Sequence, residues 1–531
     1  MAVLAQHHKK NLQSENERLQ TLLKEQAETI RNQANFINLL HQKLQLSRLA
    51  RFGRKSEKDL ESGQQSLPFD DIEPVENQSE LETPSEPSTE TITYTRNKQK
   101  PGRKSLPKEL PFVEYVHDLP EEEKQCPCGC ALTHIRDEIT EQLDIIPQRV
   151  FRAIHIRKQY ACKGCEGTMR LSRMPLQPIP QSIAAPGLLA MVIDAKFNRH
   201  MPLFRQEAVF KDAGLSLTRG TLSHWLSKSS DLVAPLVKLM TADIVEYDIA
   251  YADETSLQVL KEKDRLPTQK SYMWLFSGGP PERRAFVYQY HPTRSQDIPF
   301  RFFEDFKGYV HADCYQAYVN LGKTKDIQHV ACWAHARRYF ADILKINKKP
   351  GVAHAVVKRM ALLYELEKKL KEQKATPAQV FIARLRKAIP VLKALHAFLL
   401  ESSHKTLPKS PLGQAIFYTL THWNSLMAYC YDGRLEIDNN RSERAIKPFV
   451  IGRKNWIFHG SEKGAHAGSI LYSLVETCKQ HKINVFDWFK YVLTHISSAH
   501  TLEKLQALLP YNINPNLLEN MSSIPPLLIP E

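Results

Sequence analysis

Between residue 10 and about residue 50 the chain repeats every seven positions. Leu12, Leu19, Gln26, Gln33 and Leu40 form one seam, offset by Asn16, Leu23, Ile30, Ile37 and Leu44. A heptad repeat keeps one stripe turned toward a partner helix, so these residues predict a coiled coil through which the chain self-associates, its polar seam positions setting register. The same pattern fits a single amphipathic helix packed on its own protein. After "ARFGRKSEK" (Ala50 to Lys58) periodicity stops: Asp59 to Glu90 holds ten acidic residues, no Lys or Arg, and many Pro and Ser, which predicts a disordered linker. "MPLFRQEAVFKDAGLSLTRGTLSHWLSK" (Met201 to Lys228) reads as a helix, a turn at Gly214 and a second helix from about Thr218. From Glu246 the period becomes two, and "VEYDIAYADETSLQVL", "SYMWLFSG", "RAFVYQYH" and "GYVHADCYQAY" read as strands. Later stretches, "AVVKRMALLYELEKKLKEQ" and "ARLRKAIPVLKALHAFLLE", return to helical spacing.

Composition narrows what such a chain does. At 531 residues it exceeds one ordinary core, so three or more folded units with linkers are expected. Its 72 Lys and Arg outnumber 58 Asp and Glu, a net charge of +14 that suits a polyanionic partner. No apolar run reaches membrane-spanning length and the first twenty residues lack a signal-peptide core, so nucleic acid is favoured over a membrane surface, in a cytosolic, bacterial-type setting. "KQKPGRKSLPK" (Lys98 to Lys108) has the make-up of a minor-groove arm or of an ordinary basic linker. In the helix pair, Arg219, Thr221 and His224 fall on the outer face of the second helix, where a helix-turn-helix meets DNA. Five of the nine cysteines cluster as "CPCGC" (Cys126 to Cys130) and "CKGC" (Cys162 to Cys165), a spacing that points to a structural Zn2+ site rather than disulfides. Cys126, Cys128, Cys162 and Cys165 are the expected ligands, with Cys130 as the alternative in the first cluster and His117 and His155 left open.

Asp253 and Asp313 stand in strands otherwise apolar or aromatic, where carboxylates are depleted and costly unless paired or metal-bound. Three meandering strands, a helix and a fourth strand ending in an acid outline a ribonuclease-H-like sheet, in which these two acids meet on adjacent strands. Two divalent cations need a third acid. "DNNRSERAIKPFVIGRKNWIFHGS" (Asp438 to Ser461) offers Glu443 near a helix start, with Pro448 limiting that helix to about two turns. Around it Arg441, Arg444, Lys447, Arg453 and Lys454 suit phosphates, and Trp456 and Phe458 suit splayed bases. Cys332-x-x-His335, just after the fifth strand, either supports the acids through hydrogen bonds, binds metal, or is a buried pair with neither role.

"YADET", "YVHADCYQAY", "CWAHARR" and the Glu block, together with "RFGRKSEK", "CPCGC…CKGC" and "INVFDWFKYVL", resemble the signature blocks of DDE transposases of the insertion sequence 66 family over nearly the whole chain. The resemblance implies an α/β multidomain protein with a ribonuclease-H-like catalytic core. It implies a catalytic triad of Asp253, Asp313 and Glu443 holding two Mg2+ (or Mn2+), transposon ends bound by the zinc element and helix-turn-helix, and small accessory proteins encoded beside the enzyme. The expected order is coiled coil with basic exit (8–58), acidic linker (59–97), basic arm and zinc element (98–175), helix-turn-helix region (186–240), catalytic domain (246–478) and helical tail (480–531). The 130 residues between Asp313 and Glu443 hold a helical insertion at about 342–430, expected as a lid or DNA clamp. A regulator that no longer cuts, and a nuclease without strand transfer, share these motifs.

Overall fold

A computed structural model describes residues 2–52, 153, 159–161, 169–171, 176–519 apart from 325 and 347–349, and 521. The acidic linker, the basic arm and all five clustered cysteines lie outside the described residues, as do His117 and His155. The chain opens with one continuous helix, α1 (Ala2–Phe52), covering the heptad region, and a two-stranded antiparallel ribbon, β1 (Gln159–Ala161) with β2 (Met169–Leu171), lies next to the second cysteine cluster. Helices α2 (Pro186–Ile193), α3 (Leu203–Asp212) and α4 (Arg219–Glu246) follow. Gly214 makes the turn with φ 79°, a conformation that favours glycine, and Thr218 caps α4 by accepting the Thr221 N–H at 3.2 Å.

The next strands are β3 (Ile249–Gln258), β4 (Lys270–Gly278) and β5 (Ala285–His291), joined as antiparallel hairpins. Short helices then cross over: α5 (Asp297–Phe302) leads into β6 (Gly308–Ala312), and α6 (Gln316–Leu321) into β7 (Ile327–Ala331). The resulting five-stranded mixed sheet has the order β5-β4-β3-β6-β7, with β6 parallel to β3 and β7 parallel to β6. Alternation along β3 divides two cores. Ala250 and Ala252 enter one with α2, α4 and the C-terminal helices, while Ile249 and Tyr251 enter the other with the helices after β7.

That second core contains α7 (Trp333–Ile346) and most of the insertion, namely α8 (Val352–Glu372), α10 (Ile389–His404), α11 (Pro411–Thr421) and α12 (Trp423–Met427), while α9 (Pro377–Ala383) buries no residue. The chain returns through α13 (Asn440–Trp456), α14 (Glu462–Gln480), α15 (Val485–His495) and α16 (Leu502–Ala507). α14 covers the sheet's edge: Thr477 and Ser473, one turn apart, take the free N–H groups of Phe286 and Tyr288 at 3.1 and 2.8 Å. The helices of the 186–240 region are not a separate module, because Leu222, Trp225 and Val233 share one core with β4, β5 and α14.

α13 corrects the expectation from Pro448. The helix runs through it for 17 residues. Proline forfeits one backbone bond, to the Arg444 carbonyl, and that loss is outweighed by a buried face of Ala445, Ile446, Phe449, Gly452 and Trp456. Gly452 is required there, since a Cβ would stand 2.3 Å from the Tyr472 hydroxyl on α14.

Candidate active site

The parallel register sets the first two acids. Ile249 pairs with Tyr309, Ala250 with Val310 and Tyr251 with His311, and the same register carried two residues further sets Asp253, midway along β3, abreast of Asp313, just past the end of β6. Both are half-buried. Asp313 Oδ1 accepts the Tyr315 N–H at 2.9 Å, and the Asp313 carbonyl accepts from His329 Nε2 at 3.0 Å, which orients the turn leaving β6. Burial, and then the charges of Glu254, Asp313 and Glu443, push the Asp253 carboxyl well above the usual carboxylate range, against one N–H bond from Glu254. The three acids therefore share one field.

Glu443 reaches them because the chain before it is pinned at nearly every residue. His311 Nε2 donates to the Glu436 carbonyl at 2.8 Å, and the Trp333 N–H to the Ile437 carbonyl at 3.2 Å. Asn439 donates its N–H to Cys332 Sγ at 3.2 Å and its side-chain amide to the Ala252 carbonyl at 3.0 Å, one residue before Asp253. One turn later Glu443 Oε1 is buried without a hydrogen bond, 3.8 Å from His335 Nε2. Cys332 Sγ, a His335 ring nitrogen and a Glu443 oxygen all lie within 4.8 Å of one another. Burial raises the Cys332 thiol to about 12 and lowers the His335 imidazole, which Glu443 and Asp313 partly offset. A buried carboxylate oxygen without a donor, in the field of Asp253, is a candidate oxygen ligand for a divalent cation. The structure thus groups Glu443 with Cys332 and His335, and leaves Asp253 and Asp313 close enough for their charges to act on this group.

The basic residues divide. Arg444 and Lys454 are exposed, Lys447 is half-buried one turn beyond Glu443, and Arg441 pairs with Glu436 above the Tyr251 ring. Two of the residues expected on DNA serve the fold instead. Arg453 hydrogen-bonds the Ser256 carbonyl and Thr255 Oγ1, clamping the end of α13 to β3. Trp456 is buried against Phe449 and His459, so its face is not open to bases, whereas Phe458 is exposed. On α4, Arg219 and His224 are exposed and Thr221 half-buried, with Arg219 paired to Glu207 at 3.0 Å. α4 is 28 residues long, and burial begins in its first turns with Leu222, Trp225 and Leu226.

Sequence reasoning missed Glu254, whose carboxylate is held by Arg294 and by the Tyr318 hydroxyl at 2.6 Å. It also missed Asn439 and the histidines His311 and His329, whose roles are hydrogen bonds to distant carbonyls. A histidine in a strand interior was the available signal.

A family model described as "Transposase IS66 family" matches residues 181–467, over half of the chain. The chain belongs to the IS66 transposase family. Further models match it: the IS66 C-terminal element over 473–511, the zinc-finger binding domain of transposase IS66 over 123–166, and "Transposase C of IS166 homeodomain" over 39–114. Among curated relatives, the uncharacterized protein y4jD of Sinorhizobium fredii (strain NBRC 101917 / NGR234) is 31% identical over 77% of this chain and 81% of its own. The uncharacterized protein y4qI of the same strain is 30% identical over 79% and 80%. The family's zinc-finger assignment covers both cysteine clusters. Among the described residues no helix is long and apolar enough to cross a membrane.

Proposed function

We propose that this IS66 family member is a DDE transposase that binds its element's terminal inverted repeats, cuts DNA and joins the freed 3′ ends to target DNA, using a ribonuclease-H-like core. The observation that supports this reading is the β3–β6 register that runs up to Asp253 and Asp313, together with the tie from Asn439, one turn before Glu443, to the Ala252 carbonyl beside Asp253. Strand order β5-β4-β3-β6-β7, three antiparallel strands followed by two parallel ones, supports the core assignment.

Two Mg2+ or Mn2+ ions, when held by Asp253, Asp313 and Glu443, would supply activation of the attacking oxygen and charge neutralisation on the leaving one. The chain's own residues do the positioning. Asn439 fixes the height of α13 over β3, and His335 limits the rotamers of Glu443. Lys447, one turn from Glu443 and on the same side of α13, binds a flanking phosphate and holds the scissile bond in line. No side chain is required as nucleophile, which separates this chemistry from that of serine or tyrosine recombinases.

Zn2+ held by the Cys126–Cys130 and Cys162–Cys165 clusters, and the first turns of α4 with Arg219, Thr221 and His224, would read the ends. The protein would act as a homo-oligomer through α1, with small accessory proteins, on the DNA of a bacterial cytoplasm. The test is a labelled duplex bearing the element's own end, incubated with Mg2+ and wild-type or Glu443→Gln protein. Joined products that need metal and vanish in the variant are expected. Cleavage without joining would make the protein a nuclease, and end binding without chemistry, even with the neighbouring gene products added, a regulator.

A further inference from the structure

Beside the acids, on the far flank of α13, lies a cleft of about 370 Å3 whose lining includes Arg284, Arg441, Arg444, Lys479 and Glu476. Helical spacing separates it from the catalytic flank. Arg441, Arg444 and Ala445 stand at i, i+3 and i+4 on one side of the helix, while Glu443 and Lys447 share another. The other walls come from the start of β5, through Arg284, and the last turn of α14, through Lys479.

Four cations converge here against two acids, and the acids are already engaged. Glu436 takes Arg441, and Glu476 takes Lys479 at 2.9 Å. Arg284 Nε and a second nitrogen of Arg441, Nη1, are buried without a hydrogen-bond partner, and burying guanidinium donors with nothing to bind is costly. Among the described residues neither the Arg284 nor the Arg444 guanidinium is held in an ion pair. Both line the same cleft. The cleft thus has donors to spare, positive charge, and an open side.

We infer that Arg284, Arg441, Arg444 and Lys479 form a non-catalytic pocket for a phosphodiester of bound DNA, next to the acids but separate from them. This rests on the transposase reading and adds two residues, Arg284 and Lys479, that no motif marked. A helix is about 10–12 Å across and a strand advances about 3.4 Å per nucleotide, so the strand that lays its scissile phosphate on the Glu443 flank reaches the pocket roughly three nucleotides away. The two acids hold Arg441 and Lys479 in place, so the pocket is shaped before DNA arrives. It reads no bases, and its purpose is register: it fixes which phosphate sits at the acids.

The experiment is fluorescence anisotropy on an end-bearing duplex and a scrambled one, without divalent metal, across a salt series. The variants are Arg284→Gln, Lys479→Gln and the pair, with Arg284→Lys as the charge-keeping control. The pair is expected to weaken binding about tenfold on both duplexes and to lower the salt slope by about one per lost phosphate contact. Arg284→Lys should recover most of the affinity. An unchanged affinity and slope, or a loss of affinity that merely follows a loss of thermal stability at constant slope, would overturn the pocket alone. Wild-type protein that binds neither duplex would overturn the transposase reading with it.

Discussion

At the scale of single residues the site is held by polar side chains whose partners lie far away in sequence. Asn439 is the sharpest case. It ties α13 to β3 at Ala252 through its amide and to Cys332 through its N–H. Asn439→Ala removes the amide bond and leaves DNA contacts alone, so joining should fall by one to two orders of magnitude while metal-free end binding stays at the wild-type level, as gel shift and single-turnover assays would read. Glu443→Gln acts directly and should cost about three orders of magnitude, the several kcal/mol that charge stabilisation at a metal site contributes. His459 governs stability instead. Burial, then the charge of Lys196, lowers its imidazole to about 3, so the folded state keeps it neutral while the unfolded chain takes up a proton below about 6.5. Its penalty is absent above that pH and grows by about 1.4 kcal/mol per unit as pH falls toward 3. His459→Gln should therefore flatten the acid limb of the melting temperature plotted against pH, and an equally steep limb in the variant would count against this. Asp253 and Asp313 stand out in the sequence because a carboxylate in an apolar strand is expensive wherever it sits. Trp456 misled for the converse reason, since an aromatic beside cations looks the same whether it faces DNA or Phe449.

At the scale of elements, the insertion between Asp313 and Glu443 braces the approach to α13. Arg384 opens a five-residue π-helical turn, Arg384–Ala388, and is 1% exposed. All five of its N–H donors are used: Nε and Nη2 grip the Glu367 carboxylate at 2.8 and 2.7 Å, and Nη1 and Nη2 reach the carbonyls of Tyr429, Asp432 and Leu435 at 2.7, 2.9 and 2.8 Å. Those carbonyls lie on the segment that runs into Asn439. Arg434, in the same segment, is paired with Asp248 at the foot of β3. A lid or clamp was expected of the insertion, but its core is continuous with the β7 side of the sheet. Arg384→Gln leaves half-buried Glu367 without its partner and three carbonyls short of donors, and should cost about 3 kcal/mol by denaturant unfolding. Protein still folded at low temperature should bind ends yet join them slowly. Helix periods in the insertion were plain from sequence, whereas a brace made of one guanidinium and three carbonyls has no periodic trace. Pro448 was misjudged because local propensity was weighed without the Phe449 and Trp456 face that holds α13 together.

At the scale of the whole molecule, α1 poses the remaining question: whether its apolar seam is spent on its own chain. The helix is 51 residues long, about 75 Å, and in proteins most helical stability comes from packing an apolar face. Part of it does pack. Asn35, Asn38, Leu39 and Gln42 line a cavity with Val352, Phe398 and Leu412 of the insertion, and Leu46 and Leu49 are half-buried further along. These positions are not the heptad seam. Leu23, Ile30 and Ile37, at the middle of it, are 65%, 66% and 65% exposed, a row of large apolar side chains facing solvent. One face of α1 is thus used within the chain while another is left over, and burying that row against an identical helix would recover about 1.5–3 kcal/mol for each side chain. Ile30→Glu with Ile37→Glu puts like charges into the proposed seam and should give a species of one chain, 61.0 kDa, by sedimentation. An unchanged, larger mass would place assembly elsewhere. Transposition must hold two ends at once, so the monomeric variant should bind single ends normally and yet yield no paired-end product. A variant that is monomeric but still joins paired ends would show that the acids work without the seam.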